Sequence, residues 1–124
     1  MNGDDVLEPL TGKILAAAFE VANTLGHGFL ESVYQKALLH ELTLAGLSAE
    51  REVPFKVGYK NLEIGTYVAD LIVQGSVVLE LKAIDALSPA HVGQCLNYLR
   101  ASGLRVGLLL NFGRPRLEYR RVAL

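Results

Sequence analysis

Gly65-Thr66-Tyr67-Val68-Ala69-Asp70-Leu71-Ile72-Val73 and Val77-Val78-Leu79-Glu80-Leu81-Lys82-Ala83 are two apolar, β-branched runs separated by Gln74-Gly75-Ser76. Such runs about a glycine-bearing turn predict a β-hairpin. A three-residue loop with Gly75 in the left-handed position pairs Val73 with Val77 and sets Asp70 opposite Glu80, at a spacing of roughly 4.5–5.5 Å. Side chains alternate, so Lys82 shares the face of Glu80. A two-residue loop would slip the register and turn Asp70 to the other face. Two carboxylates and an ammonium gathered this way are the groups that metal-assisted hydrolysis of a phosphodiester uses. The remaining positions on both faces are mostly Val, Leu, Ile and Ala, which predicts strands covered on both sides, where charged groups need a reason. The other reading is an Asp/Lys ion pair at a sheet edge, a common strand pattern.

Outward from the hairpin, helical spacing from about Glu8 to Leu25 (Leu15, Ala18, Phe19, Ala22) ends at Gly26-His27-Gly28, a tight reversal. A second helix is expected from about Leu30 to Ala45, stopped by Gly46. Val53 to Tyr59, broken by Pro54 and Gly58, reads as an edge strand. Ser88-Pro89 signals a helix start, running to Ala101 before Gly103, with Ser as cap and Pro in the first turn. Val106 to Leu110 reads as a buried strand. The order is ααβββαβ, with Leu117–Val122 the candidate for one strand more, which implies an α/β fold with a mixed sheet flanked by helices.

Length and composition fit one domain spanning 1–124: 51% of the 124 residues are hydrophobic, enough for an ordinary core. The chain shows no signal-peptide pattern and no apolar run near the ~20 residues that span a bilayer. These features predict a soluble, cytoplasmic protein without membrane partners. Cys95 is the single cysteine; it excludes an internal disulfide or a cysteine zinc cluster and reads as a packing residue. Net charge is −1, but its distribution is uneven. Residues 1–50 carry seven acids and two lysines, whereas 100–124 carry six arginines and one glutamate. Arg114 and Arg116 are thus candidate phosphate contacts. The alternative is a solvated edge that pairs with the acidic half of a neighbouring subunit.

On the second helix, Glu31 lines up with Tyr34, Leu38, Leu42 and Ala45 at 3.6-residue spacing, on the stripe expected to face the core. It is either a site carboxylate or simply a favourable first-turn acid. After Pro89, Val92, Leu96 and Leu99 form an apolar stripe, while His91, Gln94 and Tyr98 share an adjacent face at which a site mouth could lie. His91 alone is an ordinary surface helix residue by the simpler reading.

Gly28-Phe29-Leu30-Glu31-Ser32-Val33-Tyr34 resembles the signature of the GxxExxY proteins, a small family within the PD-(D/E)XK nuclease superfamily. Tyr67 to Asp70, Val78 to Ala83, Gln94 to Leu99 and Val106 to Gly113 resemble the family's later blocks, so the similarity runs over roughly residues 11–122. The resemblance implies a restriction-endonuclease-like core. It also implies that Glu31 is the helix acid, Asp70 the first strand acid, Glu80 and Lys82 the ExK pair, and Gln94 with Tyr98 the QxxxY motif. Val68 stands where the family often has arginine, and His27 where proline is frequent.

What the resemblance implies chemically is Mg²⁺ or Mn²⁺ held by Asp70, Glu80 and Glu31, with a backbone carbonyl near Leu81. Lys82 would orient the attacking water or offset charge on the phosphate, Gln94 would hydrogen-bond water or substrate, and Tyr34 and Tyr98 would brace the substrate side. The expected partner is nucleic acid, DNA and RNA being undivided; no helix-turn-helix, zinc finger or stacking aromatic platform signals sequence reading. A catalytically silent nuclease-fold module is the reading from another class. The apolar content of Leu104–Leu110 and the first helix suggests a homodimer.

Overall fold

The apolar runs that predict doubly covered strands do form the centre of a sheet, and the structure, a computed structural model, describes residues 3–124, with side chains from residue 7. The elements are α1 Gly3–Leu25, α2 Glu31–Leu44, β1 Ala49–Tyr59, β2 Leu62–Val73, β3 Val77–Lys82, α3 Pro89–Ser102, β4 Val106–Asn111 and β5 Glu118–Ala123. The order is therefore ααβββαββ, and the candidate extra strand is real. The strands lie in the order β1-β2-β3-β4-β5. Neighbours are antiparallel except β3 and β4, which run parallel with Lys82 beside Asn111. A parallel pair needs a long crossover, and α3 supplies it.

One face of the sheet is covered by α1 and α2, whose Ile14, Ala18, Leu38 and Leu42 pack on Leu71, Leu79, Leu81, Leu108 and Leu110. The other is covered by α3, with Cys95 and Leu99 against Ile72, Val78, Leu109 and Val122. Every residue of β4 is buried within the one chain, so Val106 to Leu110 offer no outward apolar surface to a homodimer, while Leu104 is half-buried and Phe19 of α1 exposed. Cys95 is a packing residue, as expected. Gly107 makes its position possible, since a Cβ there would lie 2.9 Å from the Cys95 Sγ.

The hairpin turn matches the sequence in register and differs in detail. Val73 pairs with Val77, while both Gln74 and Gly75 have positive φ and the Ser76 N–H donates to the Val73 carbonyl. That is the primed turn that suits the twist of a hairpin. The β2–β3 ladder then ends after Leu71–Leu79. Beyond it β2 continues with β1 alone as a two-stranded ribbon, and β3 continues with β4. The sheet forks at Asp70 and Glu80.

Opposite the fork, β1 and β2 share an irregularity. Arg51–Leu71 and Val53–Ala69 are paired, Glu52 and Asp70 between them are not, and Glu52 has φ 54. Faces swap across this point: Leu71 and Val73 pack under α1 and α2, Tyr67 and Ala69 under α3. Such disruptions re-aim side chains and recur beside active sites.

Candidate active site

Asp70 sits where the ladder stops, and its side chain replaces the missing backbone bond. The Leu81 N–H donates to Asp70 Oδ2 at 2.7 Å, and Gln35 Nε2 donates to the Asp70 carbonyl at 3.0 Å. The first bond holds the carboxylate at the fork, and the second holds the backbone that carries it. Asp70, Glu31, Gln35, Glu52 and Leu81 line a cleft of about 340 Å³ on the α2 side. Glu31 is exposed in the first turn of α2, on the cleft rim and not on the core face that its spacing suggested; Tyr34, Leu38 and Leu42 of that stripe are buried.

Glu80 lies on the α3 side and is only 5% exposed. Among the described residues its Oε1 has no hydrogen-bond partner. Burial first, then the Asp70 charge and a hydrogen bond between the two carboxyls, push its pKa up to about 9, against a smaller downward pull from Lys82. Two acids this close in a dry setting resist holding two negative charges. Half-buried Lys82 forms no ion pair within 4.0 Å among the described residues. The Glu80 charge also reaches the α3 layer: it adds to burial in raising Cys95 to about 12, and likewise raises Tyr67 and Tyr98.

The remaining candidates are placed differently. Tyr34 is fully buried; its hydroxyl donates to the Gly26 carbonyl at 2.7 Å and accepts from the Phe29 N–H at 3.2 Å, and its ring stacks on Phe112 at 4.6 Å. It pins the α1–α2 turn and presents nothing to a substrate. Gln94 is exposed on α3 and lines neither this cleft nor the larger one beside α3. Tyr98 stacks on Tyr67 with centroids 3.9 Å apart, near enough to the acids to feel both charges. Arg114 pairs with Glu118 at 3.8 Å; it and exposed Arg116 belong to the β4–β5 loop at the end where β3 exits, outside both clefts. His91 closes a capping box, its Nδ1 accepting from the Ser88 N–H at 2.9 Å.

Sequence reasoning missed the residues that hold the strand exit in place. Asn111 is fully buried. Its Oδ1 accepts from the Ile84 and Gly113 N–H groups, and its Nδ2 donates to the Ile84 carbonyl and to Glu118. Glu118 in turn accepts from the Leu87 N–H, and these bonds draw its pKa down, the Asn111 contact most. A Cβ at Gly113 would collide with the Ile84 backbone. An asparagine ending an apolar strand, two residues before glycine, was the available signal.

Among the described residues, no three His, Cys, Asp or Glu side chains converge closely enough to hold a metal. Two carboxylates and a carbonyl are nonetheless a hard-oxygen set of the kind Mg²⁺ accepts while keeping several waters, and the orphaned Glu80 Oε1 is an acceptor awaiting a partner. The residues fit a divalent cation.

A mixed sheet between helical layers, with acids gathered where two strands part, is the frame of a nuclease-type α/β domain. The chain belongs to the PD-(D/E)XK nuclease superfamily, whose family model matches residues 8–122. Among solved structures, one titled "Crystal structure of SSO0001" superposes with a TM-score of 0.56 at 22% identity, over 74% of this chain and 48% of that one. The likeness is one of fold, and this chain spans about half of that protein's length. No curated protein matches. Superfamily membership supports a nuclease-type function. Among the described residues no helix is long and apolar enough to cross a membrane.

Proposed function

We propose that the chain is a Mg²⁺- or Mn²⁺-dependent nuclease that hydrolyses nucleic-acid phosphodiester bonds at the fork, in the manner of the narrower GxxExxY group. The observation that carries this reading is the buried Glu80 carboxyl with an unpartnered oxygen beside Asp70. Asp70 and Glu80 would hold the ion, with Glu31 across the α2 cleft reaching it directly or through water. The ion would supply polarisation of the phosphate and a more acidic bound water. Asp70 is oriented for this by the Leu81 N–H and Gln35. The Lys82 ammonium, uncommitted to an ion pair, supports the negative charge that builds on the phosphate oxygens. Gln94 enters only through substrate or water reached from outside the two clefts, and Arg114 and Arg116 through backbone beyond the fork.

Cleavage of linear, nicked, branched and single-stranded DNA and of RNA, with Mn²⁺, Mg²⁺ or EDTA, tests the proposal. Wild type is expected to cleave at least one substrate with metal only. Glu80→Ala and Lys82→Ala are each expected to lose about 10²–10³ in rate. Full activity in Lys82→Ala would remove its role. Mn²⁺ should raise the melting temperature of wild type and leave Asp70→Asn unmoved; neither cleavage nor stabilisation would point to the silent module. Homodimerisation, as part of the same proposal, now rests on exposed Tyr59, Leu62 and Ile64 of the ribbon, and a clean monomer by light scattering at micromolar concentration would end it.

A further inference from the structure

Between the ribbon and α3 lies a cleft of about 530 Å³, walled by Lys56 and Gly58 of β1, Tyr67 of β2, and Asn97, Tyr98 and Arg100 of α3. That volume is within the range of small-molecule sites. Among the described residues no acid lines it, and two cations do. Lys56 has a partner in Glu63 at 3.6 Å, but both are largely exposed, so the pair competes weakly with a phosphate. Arg100 is held by Asn97 Oδ1 at 2.9 Å, which leaves other guanidinium N–H groups for an anion. The wall also carries the rings of Tyr67 and Tyr98, and behind them Phe55 continues the stack across three elements. The Tyr67 hydroxyl is buried, with Ser102 near enough to act on it. Tyr98 is the link to the fork, since the Asp70 and Glu80 charges both act on it.

We infer that the cleft between the ribbon and α3 is a nucleotide-binding subsite, in which Lys56 and Arg100 hold backbone phosphate and Tyr98 contacts the base of a strand leading to the fork. Cations beside an aromatic wall are how proteins track a single strand without reading its sequence. An acidic peptide would use the cations and leave the rings idle. The inference rests on the nuclease reading for the identity of the strand, and its test is made in EDTA so that cleavage plays no part.

The measurement is fluorescence anisotropy of a labelled single-stranded DNA oligonucleotide, and of its RNA counterpart, across a salt series. Wild type is compared with Lys56→Ala/Arg100→Ala and with Lys13→Ala/Arg105→Ala, which removes equal charge away from the cleft. Loss of two phosphate contacts lowers the slope of log affinity against log salt by about 1.4 for single strands. The cleft variant should show that drop with at least one oligonucleotide, at an unchanged melting temperature, and the distant variant should keep the wild-type slope. An unchanged slope in the cleft variant, or an equal drop in both, overturns the inference. If wild type never cleaves yet the drop appears, the subsite stands and the nuclease reading falls. Cleavage with an unchanged slope has the opposite meaning.

Discussion

At the scale of single residues, Glu80 is held in surroundings that oppose its own ionisation. Its folded pKa of about 9 exceeds the ordinary 4.5, so between those values the folded state binds the extra proton. The Glu80 contribution to the stability of the metal-free protein is then full below about pH 4.5 and falls as pH rises toward 9, by at most about 1.4 kcal/mol per unit. Glu80→Gln keeps the shape and removes the charge. Thermal melts in EDTA should show this variant more stable than wild type at pH 8, with a flatter pH dependence; an identical decline would refute the assignment. Glu80 and Lys82 were legible because strand alternation puts them on one face, whereas the direct pairing of Asp70 with Glu80 that the turn length predicts does not form, since the β2–β3 ladder stops at Leu71–Leu79. Glu52 was not legible: a glutamate in left-handed backbone breaks the rule by which strands are read, and only the missing pair with Asp70 reveals it. Tyr34 was ambiguous for another reason, since a motif tyrosine can serve the fold as well as the substrate, and here its hydroxyl is occupied at the α1–α2 turn.

At the scale of elements, the strand exit after Lys82 is stitched to the β4–β5 loop by Asn111, and Gly113 allows the close approach of the Ile84 backbone. Gly113→Ala forces these backbones apart. It should cost about 3 kcal/mol, read as a lower urea midpoint at unchanged slope, and an unaffected midpoint would show that the loop yields freely. The order of elements was largely readable from apolar runs and glycine stops. The start of β1 was not, because Glu50-Arg51-Glu52 and Pro54 look unlike a strand; the structure begins it at Ala49, on the sheet's edge, where a proline is tolerated. Likewise α1 begins at Gly3, ahead of the expected Glu8, and passes through Pro9. The aromatic stack was invisible for want of any local pattern: Phe55, Tyr67 and Tyr98 come from three elements and meet only once the ribbon folds onto α3.

At the scale of the molecule, burial is graded from centre to ribbon. Residues of β3 and β4 are covered on both faces, while Tyr59, Leu62 and Ile64 at the ribbon end are more than half exposed. Native-state hydrogen exchange should therefore be slowest in β3 and β4 and fast from Lys60 to Ile64; uniform protection along β2 would contradict the fork. The docking of the ribbon has an optical consequence. The chain has no tryptophan and five tyrosines, so its near-ultraviolet signal beyond the phenylalanine bands belongs to tyrosine. Tyr67 and Tyr98 lie almost parallel, 2° apart in plane, an arrangement in which their electronic transitions couple. Circular dichroism in the tyrosine band thus gives a label-free readout of whether the ribbon is closed on α3, beside the acids themselves.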